Sequence, residues 1–93
     1  MSFVLIIHEV DDYDVWKTGF DSAAQQRKEA GEIEFQVLRV EQSANRIVHF
    51  SKWQSNLKAR QFFESEEISL LRQTLGVNQP EFVYLNELDA GLL

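Results

Sequence analysis

The spacing of apolar positions changes several times along the chain, and each change marks an element. Phe3 to Val10 is rich in Phe, Val and Ile and too short for a buried helix, which predicts a first strand. From Tyr13 the apolar positions fall three and four apart, at Tyr13, Trp16, Phe20, Ala23, Ala24 and Ala30. That spacing predicts one helix with a single apolar stripe, ended by Gly31. Asp11 is placed to cap it, and Asp12 and Asp14 oppose the positive end of its dipole. Val10 can staple onto Val15, while Arg27 and Lys28 complement the far end. Ile33 to Gln42 and Arg46 to Trp53 read as two strands joined by the short polar connection Ser43-Ala44-Asn45, an antiparallel hairpin. Ser55 offers a cap for a second helix carrying Leu57, Phe62 and Phe63. Ser65 and the two glutamates after it restart that helix, and Ile68, Leu71 and Leu75 continue the stripe to Gly76. Beyond Asn78-Gln79-Pro80, read as a breaker, Glu81 to Leu88 form a fourth strand and Asp89 to Leu93 a tail.

The order is βαββαβ. It predicts one α+β domain over residues 1–93, ferredoxin-like, with a four-stranded antiparallel sheet and two helices on one face. Side chains alternate along a strand, and every predicted strand is apolar on both sides. Phe3, Leu5 and Ile7 oppose Val4, Ile6 and Val10; Phe35 and Val37 oppose Leu38 and Val40. Ile47 opposes Val48 and Phe50, and Phe82 and Tyr84 oppose Val83 and Leu85. Two helices cover one face of such a sheet. The other keeps six to eight apolar side chains, roughly several hundred Å², more than a monomer usually leaves in water. A homodimer packed sheet to sheet is therefore expected, with a monomer whose second face lies under the C-terminal tail as the alternative.

Composition narrows the partners. Nine basic and fifteen acidic residues give a net charge of −6, with the basic residues scattered among acids, so neither nucleic acid nor an anionic membrane is expected. The longest apolar run, Phe3 to Ile7, is far short of the roughly 20 residues of a membrane helix. There is no cysteine, and the Met-Ser start carries no basic leader region, which makes the cytoplasm the default location. Asp11, Asp12 and Asp14 lack the spacing and the glycine of a calcium loop, and no metal site is expected.

Several stretches carry a resemblance: the strand leading into "DDYDVWKTGFD", "HFSKW" at the end of the third strand, Ala59 in the second helix, then "FFESEEI" and "LGVNQPEFVYL". Over residues 3–88 the chain resembles the dimeric α+β barrel superfamily, in particular the antibiotic-biosynthesis-monooxygenase-like and small cyclase-like proteins. The resemblance implies cofactor-independent oxygenation or cyclase-type acid–base chemistry on a small apolar or aromatic molecule, with no cofactor. Where monooxygenase members carry histidines in the second helix, Phe62 and Glu67 stand here. The non-enzymatic alternative is a dimeric assembly or regulatory module.

The two histidines, His8 and His49, both fall on strands and are the candidate catalytic groups, since an imidazole in an apolar pocket can act as acid, base or hydrogen-bond donor. The first and third strands are neighbours in a ferredoxin-like sheet, and register decides whether the two share a face. Each could equally be a hydrogen-bonded interior residue. Tyr13, Trp16 and Phe20, on the inward stripe of the first helix, and Trp53, at the end of its strand, are the candidate ligand-binding residues, with core packing as the alternative.

Overall fold

The computed structural model describes residues 1–93, and its centre is a sheet in the order β2-β3-β1-β4 with every neighbouring pair antiparallel. The strands are β1 (Ser2–Val10), β2 (Glu32–Arg39), β3 (Arg46–Trp53) and β4 (Val77–Asn86). Between β1 and β2 run α1 (Tyr13–Ser22) and α2 (Ala24–Ala30); between β3 and β4 run α3 (Asn56–Phe63) and α4 (Glu66–Thr74). This is the expected ferredoxin-like βαββαβ plan, with each expected helix divided in two.

The second division falls at Ser65, as its sequence indicates, with Ser65 Oγ accepting from the Ile68 amide. The first falls at Ala23, where no polar side chain signals it. Two further details depart from the sequence reading. Asp12, not Asp11, caps α1, its Oδ1 accepting from the amides of Asp14 and Val15. Asp11 is held elsewhere: its amide donates to Gly76 O and its carboxylate accepts from Asn78 Nδ2 at 2.7 Å. Strand β4 also begins at Val77 and runs through Asn78-Gln79-Pro80 instead of starting after it. The chain absorbs that segment as a bulge, with Gln79 at φ 49° and the β1–β4 register shifting between Ile7 and Glu9.

The core lies between sheet and helices. One cluster joins Val4, Ile6 and Trp53 to Ala59, Phe63 and Ile68; a second joins Val10 and Ile47 to Trp16 and Phe20. The opposite face carries Phe3, Leu5, Ile7, Leu38, Val48, Phe50, Val83 and Leu85, as their registers require, and no helix covers it. Phe3 and Phe50 stack there with centroids 5.3 Å apart. The tail does not shelter this face: Leu88, Leu92 and Leu93 are fully exposed. No helix is long and apolar enough to cross a membrane.

Candidate active site

His8 pairs with Ile47 across β1–β3 and His49 pairs with Ile6, so the two histidines point to the same, helix-covered face as diagonal neighbours. Both are buried, and both line a cavity between the sheet and the helices. Trp16, Phe20 and Ala23 close it from the α1 side, Phe63, Ile68 and Leu75 from the other, and Arg27 and Arg72 bring the positive charges. Gly19 completes the wall because a Cβ there would sit 2.4 Å from Leu75 Cδ2. The cavity measures ≈ 70 Å³ and is lined mostly by apolar side chains.

His8 is 5% exposed, and its Nδ1 finds no hydrogen-bond partner in the protein. Burial, then the charges of His49 and Arg72, push its pKa down from 6.5 to about 4. The ring is therefore neutral at pH 7, tilted against Trp16 with centroids 5.2 Å apart. Arg72 donates to Phe63 O at 3.0 Å and lies 4.9 Å from the centroid of Phe82; burial lowers its pKa.

His49 has a different setting. Its Nε2 lies 2.8 Å from Glu32 Oε2, and Glu32 Oε1 accepts from Arg27 Nε at 2.7 Å. Arg27 also donates to Phe20 O and stacks 3.6 Å above the centroid of Phe20, whose ring meets His49 edge to face at 4.9 Å. Burial pushes the Glu32 carboxyl up, but hydrogen bonding and the charges of His49 and Arg27 outweigh it and hold the pKa below the usual carboxylate value.

Of the residues singled out from sequence, the cavity gathers His8, Trp16, Phe20 and His49. Trp53 lies outside its lining: at 0% exposure it packs on Phe62 and Phe63 and donates from Nε1 to Ser51 Oγ at 2.8 Å. Tyr13 also lies outside, half-buried near Arg39, whose guanidinium is 5.2 Å from its ring centroid. Arg27, Glu32 and Arg72 were not singled out. Arg27 continues the stripe Trp16, Phe20, Ala23 by four residues, a signal overridden by its apparent role at a helix end. Arg72 likewise follows Ile68 by four. Glu32 carries no such signal, because its inward direction comes from a bulge: the β2–β3 register shifts between Glu32 and Glu34. No three His, Cys, Asp or Glu side chains are grouped to hold a metal ion.

No protein-family model matches the chain, and no curated protein matches it by sequence. Solved structures do match its fold. SnoaB, a cofactor-independent oxygenase from Streptomyces nogalater, is 14% identical, with 96% of this chain and 93% of that one covered and a TM-score of 0.74. A monooxygenase from the gene ActVA-Orf6 of Streptomyces coelicolor, in complex with nanaomycin D, is 16% identical, covering 99% and 91%, with a TM-score of 0.65. Rv0793 from Mycobacterium tuberculosis is 15% identical, covering 99% and 100%, with a TM-score of 0.67. The chain shares the ferredoxin-like α+β fold of these structures and of an antibiotic biosynthesis monooxygenase from Deinococcus radiodurans, 10% identical with a TM-score of 0.72, which is the fold that the sequence resemblance implies.

Proposed function

We propose that the protein transforms a small, largely apolar or aromatic molecule in the His8–His49 cavity, by cofactor-independent oxygenation or by acid–base chemistry of the cyclase type. The observation that carries this reading is the unpartnered Nδ1 of His8. A buried polar atom left unpaired costs about 1–3 kcal/mol, a cost that a ligand oxygen would remove. Both chemistries begin when the ligand loses a proton, and a neutral imidazole in an apolar enclosure is a suitable acceptor. His49 is the candidate base, and His8 the hydrogen-bond partner of the ligand oxygen. Nanaomycin D and the oxygenase activity belong to the structural neighbours and support the class of ligand only by analogy of fold.

Size limits how the ligand fits. A cavity of about 150 Å³ takes benzene, and this one is ≈ 70 Å³. An aromatic ring therefore enters as the half-buried Phe62, Leu71 and Leu75 move aside. The protein acts as a homodimer joined through the uncovered sheet face, whose eight apolar side chains are of the right extent for a standard interface of about 800 Å² per partner. A non-enzymatic dimeric module shares that face as its support, but would be better served by a His8 bonded to a backbone carbonyl.

The test is ligand-observed NMR with 1-naphthol, 2-tetralone and anthrone, together with oxygen uptake. Binding at millimolar concentration or tighter, weakened at least tenfold in His8→Phe with folding retained, is the expected result. Absence of binding by all three, or equal binding by the variant, would overturn it.

A further inference from the structure

We infer that Glu32 is a positioning residue: clamped by Arg27, it holds the proton of His49 on Nε2 and leaves Nδ1 as the basic nitrogen. The inference deepens the proposed function and rests on it for the ligand. Glu32 owes its place to the register shift at Ile33, which turns it to the face of His49 while Glu34 and Gln36 remain on the other. There it is 8% exposed and bridges two elements, Oε1 to Arg27 of α2 and Oε2 to His49 of β3.

Charge and hydrogen-bond capacity fix the roles. An ionised carboxylate only accepts and a guanidinium only donates, so Arg27 and Glu32 form a neutral pair. A neutral His49 keeps this buried cluster uncharged, and its nitrogen facing Glu32 must then be the one that bears hydrogen. The other charged or titratable groups of the cavity wall are His8 from β1 and Arg72 from α4. His8 is neutral at pH 7, and the Arg72 guanidinium disfavours a further positive charge while the cavity is empty. When the ligand reacts, its C–H or O–H bond breaks, the proton goes to His49 Nδ1, and the electron pair stays on the ligand. The resulting imidazolium faces the Glu32 carboxylate, which stabilises it.

The replacement Glu32→Gln has a definite consequence. Arg27 Nε still requires an acceptor, so the amide oxygen stays on that side and the amide NH2 faces His49. Nε2 must then accept, and the proton moves to Nδ1, the nitrogen that reacts. Long-range 1H–15N spectra of the histidines read this directly. At pH 7 the wild type is expected to show His49 as the neutral Nε2–H tautomer, and Glu32→Gln as the Nδ1–H tautomer. With a ligand identified among the three probes, kcat falls at least 1000-fold while KM changes little, as with other histidines placed in the wrong tautomer. An imidazolium His49 in the wild type, an unchanged tautomer in the variant, or an inverted tautomer with full turnover overturns the inference. If Glu32→Gln does not fold, Glu32→Asp, too short to span both partners, is expected to give mixed tautomers; a single Nε2–H form there also overturns it. Should none of the probes bind, the proposed function fails while the tautomer result still decides the role of Glu32.

Discussion

Phe3 and Phe50 lie across the β1–β3 pair with their rings 4° from parallel and 5.3 Å between centroids, on the side of the sheet that faces away from every helix. Phe50 lies in the middle row of that face, opposite Leu5 of β1, while Phe3 lies in the row of Lys52. Phe50→Glu would place a charge at the centre of the face, where burial against a second copy is costly. Sedimentation at micromolar concentration is expected to give twice the 10.8 kDa chain mass for the wild type and a single chain for the variant. A wild type that sediments only as a 10.8 kDa species contradicts the pairing.

His8 makes stability depend on pH in a defined direction. Its folded pKa is lowered from 6.5 to about 4, so within that window the unfolded chain binds a proton that the folded chain does not. Stability falls as pH drops from 6.5 to about 4, by an amount on the order of 3 kcal/mol. Glu32, also lowered, contributes stability that is present above the ordinary carboxylate value and lost as pH falls through its folded value. Urea unfolding across this range should show the upper part of the slope disappear in His8→Phe. An equally steep slope in that variant would show that another group is responsible.

A side chain at Gly19 is expected to displace Leu75. In Gly19→Ala the new Cβ meets Leu75 Cδ2 at 2.4 Å and Cδ1 at 2.6 Å, which forces the leucine from its place beside the cavity. Overpacking of this kind costs about 1–3 kcal/mol. Because the clash is with a flexible side chain, adding Leu75→Ala should relieve the strain part of the loss, and a double-mutant cycle by thermal unfolding measures the coupling.

Trp53 and Trp16 should separate stability from ligand binding. Trp53→Ala removes a fully buried side chain and leaves Ser51 Oγ without its donor, a loss of about 3–5 kcal/mol. Trp16→Phe keeps most of the packing against Phe20 but reshapes the cavity wall. Denaturant curves and binding of the aromatic probes, measured on both variants, are expected to rank them in opposite order.

The element order was legible because hydrophobic period and turn residues act locally, and the two-sided apolar strands were legible for the same reason. What escaped depended on register or on competition between neighbours. Asp11 and Asp12 are equally good caps by composition; Gly76 and Asn78, more than sixty residues away, engage Asp11 and leave the cap to Asp12. Asn78-Gln79-Pro80 has the composition of a breaker, yet pairing with β1 holds it in the sheet. The shared face of His8 and His49 required one register, and Glu32 required a shift in another. Arg27 was read as a helix-end charge because an arginine on an apolar stripe is ordinarily expelled, unless a carboxylate meets it in the interior.

The bulge at Gln79 and Pro80 has a consequence for how molecules of this chain can aggregate. Strand β4 is one rim of the sheet, and rims with free amides template further strands into fibrils. Pro80 has no amide hydrogen to offer and Gln79 twists the backbone out of line, so ribbon-like growth is blocked at that stretch of the rim. Edge-to-edge addition of a further strand is thereby disfavoured along this part of β4.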